Sequence, residues 1–282
     1  MFSAISTIIR YLNISIRGLE YYTNNSSIKI GKAQSDIIVS LSTIPSRIEL
    51  MDPTLKSLLD QTVLPKYIYI NVPEFSKREQ CEYPIPERFL NHPIIKIIRS
   101  EKDWGPATKS IPAIMKEKEA NSPLLVLDDD YVYHKKMVEE YQKHEAEYAH
   151  AVLCLRGWNL PKDMLHSNKV RYYGNQVKAF KQANLVEGSS SYLIRPSFFQ
   201  TDFFDYQTAP REAFFCDDIW ISGHLNKHKV PIYIMPFDVA IPRILSFSTR
   251  NTIRLATAEN VNDENENVVY QYYKNDWMEV TE

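Results

Sequence analysis

The segment Leu124-Leu125-Val126-Leu127-Asp128-Asp129-Asp130 places four apolar residues directly before three carboxylates. A short, continuous apolar run of this kind is typical of a strand that is buried on both faces of a parallel sheet. Ligands of parallel α/β sheets bind beyond the carboxyl ends of the strands, and the three Asp residues stand there. The segment therefore predicts a central strand that ends at a binding site.

Apolar runs and helix-like segments alternate on both sides of this segment. Strands are expected at 36–41, 67–72, 94–98, 124–127, 151–155, 191–194 and 230–235, and helices at 53–59 (with Asp52 as its N-cap), 107–119, 135–150 and 217–226. This alternation predicts an α/β, Rossmann-like fold with a mostly parallel central sheet and helices on both faces. We expect an N-terminal amphipathic segment over 1–34, one main domain over 35–245, and a polar tail with an aromatic cluster over 246–282.

Composition and charge exclude several classes of protein. The 282 residues carry a formal net charge of -2, and no block of five basic residues occurs, so nucleic acid is not an expected partner. With only 7 glycines the chain has no Gly-rich phosphate-binding loop. Its 3 cysteines lie far apart, without metal-ligand or redox spacing. They predict free thiols in a reducing compartment, and thus a cytoplasmic protein.

The three carboxylates suit a metal ion. If the segment stays extended, Asp128 and Asp130 point to one side and Asp129 to the other. Two carboxylates, together with phosphate oxygens from a ligand, form the hard oxygen site that Mg²⁺ or Mn²⁺ prefers. The alternative is an Asp-rich turn or helix cap. A cap needs only one carboxylate, so we favour the metal.

The strand followed by Asp-Asp-Asp resembles the D-x-D signature of GT-A-fold glycosyltransferases, the group that includes family 2. The resemblance covers residues 36–236. It implies a GT-A fold and transfer of a sugar from a nucleotide-diphosphate sugar to a hydroxyl acceptor on a glycan, polysaccharide or lipid-linked saccharide. It also implies that Asp128 contacts the donor ribose or the metal, that Asp130 binds the metal, and that Asp129 belongs to the donor-binding segment.

Two upstream stretches extend the resemblance. The stretch VSLSTIPSR is similar to the first strand and turn of the family, which holds the nucleobase and ribose, and it nominates Thr43, Pro45 and Arg47. In DWGPATKSIPAI, Gly105 would allow close backbone approach and Lys109 would face the diphosphate. A plain turn with a surface arginine, and an ordinary first-turn helix lysine, remain the alternatives.

Two downstream stretches complete the resemblance. VEGSSSYLIRPSFF resembles the Gly/Ser segment that lines the sugar and acceptor side, with Gly188, Ser189 and Ser190 as hydrogen-bonding groups. FFCDDIWISGHL resembles the Glu-Asp motif of inverting enzymes. By position Asp218 is the base that removes the acceptor proton, and Asp217 takes the place of the Glu. Two carboxylates could instead serve the dipole of a helix N-terminus, and which Asp performs the chemistry stays open.

Other side chains have weaker roles. Some members of the group add a histidine to the metal, which makes His224 a candidate; it lies at i, i+4 to His228. Trp158 could stack on a sugar or be plain core. Two other functions also fit an acidic α/β site: a nucleotidyltransferase acting on sugar phosphates, and a sugar-binding protein without turnover.

The N-terminal segment is amphipathic. Apolar residues fall on roughly one helical face, at Phe2, Ile5, Ile9, Leu12, Ile16 and Leu19. Because Arg10 and Arg17 interrupt the apolar run, neither a signal peptide nor a membrane span is expected. The face either docks on the protein's own domain or gives residues 1–22 a peripheral membrane contact.

Overall fold

One eight-stranded sheet organises the chain, and the strand that precedes the three Asp residues lies inside it. The computed structural model describes residues 9, 10, 12–14, 16–24, 33–238 and 264–280. Its strands are β1 (Ile38–Ser42), β2 (Tyr67–Pro73), β3 (Phe75–Ser76), β4 (Cys81–Glu82), β5 (Ile95–Ser100), β6 (Leu124–Val126), β7 (Val152–Cys154), β8 (Arg156–Asn159), β9 (Val170–Tyr173), β10 (Lys181–Ala183), β11 (Leu185–Val186), β12 (Tyr192–Ile194) and β13 (Ile232–Ile234). The sheet order is β10-β13-β7-β12-β6-β1-β2-β5.

Most neighbouring strands of this sheet run parallel. Strands β5, β2, β1 and β6 are parallel to one another, and β7 is parallel to β13. Strand β12 runs antiparallel between β6 and β7, and β10 runs antiparallel along β13. The prediction of an α/β fold with a large, mostly parallel sheet is confirmed. Because Tyr192 at the start of β12 pairs with Val126 at the end of β6, the residues before β12 lie at the edge where the Asp residues follow β6.

Helices pack on both faces of the sheet. They are α1 (Leu19–Asn24), α2 (Asp52–Leu59), α3 (Glu87–Leu90), α4 (Ile111–Lys116), α5 (Met137–Glu145), α6 (Asp217–Lys227) and α7 (Glu264–Tyr272), with shorter 3₁₀ helices at Pro45–Leu50, Gly105–Lys109, His166–Asn168, Gly174–Gln176, Pro196–Phe198, Thr201–Phe204 and Arg211–Phe214. Helices α2 and α5 contribute to one apolar layer, and α4, α6 and α7 to the other. No helix among the described residues is long and apolar enough to span a membrane.

Successive side chains of the segment 124–127 pack into opposite apolar layers, which explains why the whole segment is apolar. Leu124 and Val126 pack into the layer that contains α4 and α6, whereas Leu125 and Leu127 pack into the layer that contains α2 and α5. All four side chains are fully buried. A strand covered on both faces needs no polar position, which is why the apolar run predicted it correctly.

Three expected helices differ in their bounds. The expected helix 107–119 is a 3₁₀ helix at Gly105–Lys109 followed by the short α4, because Pro112 lies in the first turn of a new helix that begins at Ile111. The helix expected at 135–150 is only the nine-residue α5. Asp52 is the first residue of α2 and not its N-cap; the cap position is Met51, without a side-chain hydrogen bond.

Several elements had no sequence prediction. A small sheet with the order β11-β8-β9, the hairpin of β3 and β4, and the edge strand β10 are all short. Helix α7, inside the expected C-terminal tail, contributes to the core through Val269 and Tyr270. The ring of Tyr273, just beyond α7, lies where a side chain on Gly223 of α6 would be, so the tail packs closely on that helix.

Candidate functional site

A buried lysine joins the two acidic motifs. The Nζ atom of Lys109 lies 3.1 Å from Oδ1 of Asp128, which follows β6. The same atom lies 2.9 Å from Oδ2 of Asp217 and 3.7 Å from Oδ1 of Asp218, in the first turn of α6. Two motifs that are distant in sequence therefore meet around one cation.

The backbone holds Lys109 firmly in this position. The carbonyl oxygen of Lys109 accepts hydrogen bonds from Ser40 Oγ at 2.6 Å and from Asn71 Nδ2 at 3.3 Å, on β1 and β2. Upstream, Gly105 has a φ of 60°, a conformation that favours glycine, and its N–H donates to Asp103 at 2.8 Å. Glycine is thus favoured at position 105 because of its backbone conformation, at the start of the 3₁₀ helix that carries Lys109.

A tyrosine fixes the backbone of Asp128. The hydroxyl of Tyr133 accepts a hydrogen bond from the N–H of Asp128 at 3.0 Å and donates one to its carbonyl oxygen at 2.9 Å. The backbone N–H of Tyr133 in turn donates to Ser57 Oγ on α2 at 3.0 Å. Tyr133 is fully buried and was not foreseen as a site residue.

The three Asp residues do not continue an extended strand, as the alternation rule assumed. Strand β6 ends at Val126, and Asp129 and Asp130 lie in a turn. Arg47 forms ion pairs with both Asp129 and Asp130, at 3.3 Å for the latter. Asp128 alone turns toward Lys109.

Asp129 organises the turn and is not placed to bind a donor. Its side chain is 8% exposed, and its Oδ2 accepts a hydrogen bond from Thr43 Oγ1 at 2.6 Å. Its backbone oxygen accepts one from Thr54 Oγ1 at 2.7 Å. Thr43 and Arg47 were both expected to bind the donor. In the structure, Thr43 donates a hydrogen bond to Asp129 and Arg47 forms an ion pair with it. Pro45 starts the 3₁₀ helix that carries Arg47 and is buried.

Like charges crowd the site. The five carboxylates of Asp128, Asp129, Asp130, Asp217 and Asp218 face two cations, Arg47 and Lys109. Burial, with the neighbouring carboxylates, raises the pKa of Asp130 to about 6. Burial and Asp217 raise the pKa of Asp218 to about 8. Burial alone would favour a neutral lysine, but the three carboxylates hold the pKa of Lys109 well above its ordinary value.

Gly188 is in contact with both charged groups of this cluster. Its backbone N–H donates a hydrogen bond to Oδ2 of Asp218 at 2.9 Å. A Cβ atom at this position would lie 2.5 Å from Lys109 Nζ and 2.7 Å from Asp218 Oδ1. A side chain at position 188, four residues before β12, would therefore press on the charged groups of both the lysine and the carboxylate.

The serines after Gly188 are less available than expected. Ser190 is fully buried, and its Oγ donates to the carbonyl oxygen of Glu187 at 3.2 Å. Ser189 Oγ accepts from Arg156 at 2.8 Å and donates to the Glu187 carboxylate at 3.1 Å. Ser190 is thus structural, whereas Ser189 belongs to a partly buried polar network.

Trp158 belongs to the core. It is 3% exposed, and its Nε1 donates to the hydroxyl of Tyr270 on α7 at 2.8 Å. The stacking role that we considered for Trp158 is excluded, because the ring is covered by the tail of the chain. The alternative, a core tryptophan, is confirmed.

His224 lies in a different cluster from the Asp residues that follow β6. Ligand atoms of Asp202, His224 and His228 lie within 4.8 Å of one another, so this group could hold a metal ion. The N–H of Gln200 donates to Nε2 of His224 at 3.2 Å, which places the imidazole proton on Nδ1 and leaves no lone pair there. Burial lowers the pKa of His224 to about 4. The sequence did not indicate Asp202, because it comes from a separate 3₁₀ helix.

Two further tyrosines near the site were missed. The hydroxyls of Tyr192 and Tyr206 are buried and have no hydrogen-bond partner among the described residues. The charges of Lys109 and of Asp217 both act on Tyr192, and Asp217 also acts on Tyr206. Tyr192 directly follows the Gly/Ser segment, which was its one sequence signal.

Comparison with known proteins found no matching protein-family model and no matching curated protein.

Proposed function

We propose that the protein is a metal-dependent glycosyltransferase that moves a sugar from a nucleotide-diphosphate sugar to a hydroxyl acceptor. The observation that carries this proposal is the position of Lys109 between the carboxylate that follows β6 and the two carboxylates that begin α6. A transferase of this kind needs a cation at the leaving diphosphate and a base at the acceptor hydroxyl, close together. Lys109 and the acidic pair supply both kinds of group.

The charge balance supports a requirement for a divalent cation. Five carboxylates face two cations, so a diphosphate would be repelled from the ligand-free site. Protonation of Asp218, whose pKa is raised to about 8, leaves an excess of two negative charges at neutral pH. One Mn²⁺ or Mg²⁺ offsets that excess, and carboxylate oxygens are ligands that both ions accept.

Asp128 and Asp130 are the residues that would hold this ion. Their side chains are 30% and 23% exposed, which leaves both open to a ligand, unlike Asp129. The raised pKa of Asp130 reflects burial and repulsion from its neighbours, which a bound cation would relieve. When bound, the ion would neutralise charge on the leaving diphosphate. Arg47 would have to release Asp130 at least in part.

Asp218 is the proposed base. Its Oδ2 accepts the N–H of Gly188, which fixes the carboxylate, while Oδ1 is buried without a hydrogen-bond partner among the described residues. Oδ1 lies 3.7 Å from Lys109 Nζ, beyond hydrogen-bond distance, and would accept the proton of an acceptor hydroxyl. Asp217 holds Lys109 at 2.9 Å and so positions the cation. An inverting reaction follows if the acceptor approaches from the side of Asp218, opposite the leaving group.

A thermal-shift panel tests the proposal. The full chain is heated with UDP-, GDP-, dTDP- and CMP-sugars, each with and without Mn²⁺. A donor at a hundredfold excess over its Kd stabilises the protein by about 2.7 kcal/mol. We expect one nucleotide class to raise Tm only when Mn²⁺ is present, and Asp128→Asn to abolish the rise. The exposed Asp163→Asn serves as the control. No rise with any donor would refute the proposal, and turnover of a sugar phosphate with a nucleoside triphosphate would identify a nucleotidyltransferase.

A further inference from the structure

The N-terminal helical residues expose an apolar stripe. Residues 9, 10, 12–14 and 16 are helical, and Ile9, Leu12 and Ile16 are 53%, 53% and 81% exposed. Their spacing of three and four residues places them on one side of a helix. Ile14 is 1% exposed and faces the protein. Of the apolar face expected from the sequence, Ile9, Leu12 and Ile16 thus point outward, Leu19 is buried, and Phe2 and Ile5 lie outside the described residues.

Polar anchoring fixes this orientation. Arg10 Nε contacts Oδ2 of Asp60 at 3.2 Å, and another guanidinium nitrogen donates to the carbonyl oxygen of Ser57 at 3.2 Å. The same guanidinium also donates to the carbonyl oxygen of Tyr133. Rotating the helix to bury the apolar stripe would break all three contacts. Of the described residues on the expected face, Leu19 docks on the protein's own domain, whereas Ile9, Leu12 and Ile16 do not.

We propose that the stripe of Ile9, Leu12 and Ile16 docks the protein on an anionic lipid surface. An amphipathic helix that lies in the membrane interface needs a few aliphatic side chains on one side and basic residues beside them. Ile9, Leu12 and Ile16 supply the aliphatic side chains. The proposal is independent of the sugar-transfer reaction.

The charges around the stripe favour anionic lipid. Arg17 is exposed directly after Ile16, and its guanidinium lies 4.3 Å from the ring centroid of Tyr21, which is 40% exposed. An arginine beside a half-exposed tyrosine is the combination that sits at the level of lipid headgroups. The other arginine among the first 19 residues, Arg10, is bound to the protein, and no Asp or Glu precedes Glu20 in the sequence.

The size of the stripe argues against a second copy of the chain. A stable protein interface buries roughly 800 Å² on each partner, more than three aliphatic side chains provide. A bilayer, by contrast, accepts a few apolar side chains at a depth of about 5–10 Å.

The docked helix also connects to the candidate site. Arg10 binds the carbonyl oxygen of Tyr133, and the hydroxyl of Tyr133 holds the backbone of Asp128. Membrane contact through this helix would therefore keep the candidate site near the lipid surface. A membrane-borne acceptor is consistent with that placement, although docking itself does not require one.

Vesicle co-sedimentation of the full chain tests the proposal. The vesicles are phosphatidylcholine alone, or phosphatidylcholine with about a third phosphatidylglycerol. The test variant is Leu12→Ser with Ile16→Ser; both side chains are exposed, and circular dichroism and Tm check the fold. The matched control is Leu90→Ser with Met115→Ser, since these residues are 60% and 56% exposed elsewhere.

We expect the wild type to bind the anionic vesicles, the test variant to lose at least tenfold in partition coefficient, and the control to stay within twofold. Arg17→Gln should weaken binding to anionic vesicles several-fold. Absence of wild-type binding, or equal losses in test and control variants, would overturn the proposal. So would a wild-type dimer in sedimentation velocity that the test variant converts to a monomer, because the stripe would then bind a second copy.

Discussion

The ammonium group of Lys109 lies 3.1 Å from Oδ1 of Asp128, in a position where it also reaches the first turn of α6. The lysine is 7% exposed, so its charge and those of its partners depend on one another. Removing one partner of a buried ionic cluster leaves the others uncompensated, and this typically costs about 3–5 kcal/mol.

Lys109→Met should therefore destabilise the protein by roughly 3 kcal/mol, the low end of that range, because two of the carboxylates keep some contact with water. Urea denaturation measures the change. Adding Asp217→Asn should recover part of the loss, since it removes one of the stranded charges. The control is Lys143→Met, an exposed lysine paired with Glu139 and Glu140, which should change stability little. An equally small effect of Lys109→Met would mean that the cluster is open to solvent.

The second and third Asp residues of the triplet should behave differently on substitution. Asp129→Ala leaves Arg47 and Thr43 without a buried partner and should cost roughly 3 kcal/mol of stability. Asp130→Ala should change stability much less but weaken Mn²⁺-dependent donor binding at least tenfold. Denaturation and calorimetric titration with the donor separate the two effects. Loss of metal dependence in a stable Asp129→Ala variant would mean that Asp129, and not Asp130, binds the metal.

Gly188→Ala should damage the site more than the fold. The added methyl group would press on the ends of two side chains, Lys109 and Asp218, and not on backbone. We expect donor turnover to fall at least a hundredfold while Tm drops by only a few degrees. Gly18→Ala is the control, because its methyl group would meet only the flexible end of Glu20. Unchanged turnover in Gly188→Ala would show that the lysine and the base need not approach each other.

Acid should destabilise the protein partly through His92. Its Nδ1 accepts hydrogen bonds from the N–H groups of Ile94 and Ile95, and burial lowers its pKa from 6.5 to about 4. Because the unfolded chain binds the proton more readily, this contribution is complete above pH 6.5 and is lost as pH falls toward 4. It amounts to about 3 kcal/mol at most, at 1.36 kcal/mol per pKa unit.

The variant that tests this is His92→Asn, whose side-chain oxygen can accept the same two bonds without titrating. Its stability should fall less steeply between pH 6.5 and 4 than that of the wild type, as followed by urea denaturation. His150→Gln, at an exposed position, should keep the wild-type slope. If His92→Asn also keeps the wild-type slope, protonation of His92 does not destabilise the folded state.

Much of the fold followed from local patterns. The run from Leu124 to Leu127 predicted a doubly covered strand, and the position of Asp128 at its end predicted a site there. The order of the motifs nominated Lys109, Gly188 and Asp218 for one site, and the structure places them in contact.

The predictions that failed share one physical cause: they depend on contacts between residues that are far apart in the sequence. Asp129 turns inward because Thr43 and Arg47, more than eighty residues earlier, meet it. An alternation rule assumes extended backbone and cannot register that turn. Trp158 is core because Tyr270 of the tail covers it, and no local pattern at Trp158 could indicate this.

The most direct test of sugar transfer compares Asp218→Asn with Asp217→Asn under saturating Mn²⁺, using the donor that the thermal-shift panel selects. Turnover number and donor Kd are measured for both variants and for the wild type. Loss of a general base lowers the rate by about 10²–10⁴. Asp218→Asn should therefore lose at least a hundredfold in kcat with nearly unchanged Kd, whereas Asp217→Asn should lose less. Burial and Asp217 raise the pKa of Asp218 to about 8, and only the ionised carboxylate accepts a proton, so the wild-type rate should rise as the pH approaches that range. Retention of kcat within tenfold in Asp218→Asn would contradict the account.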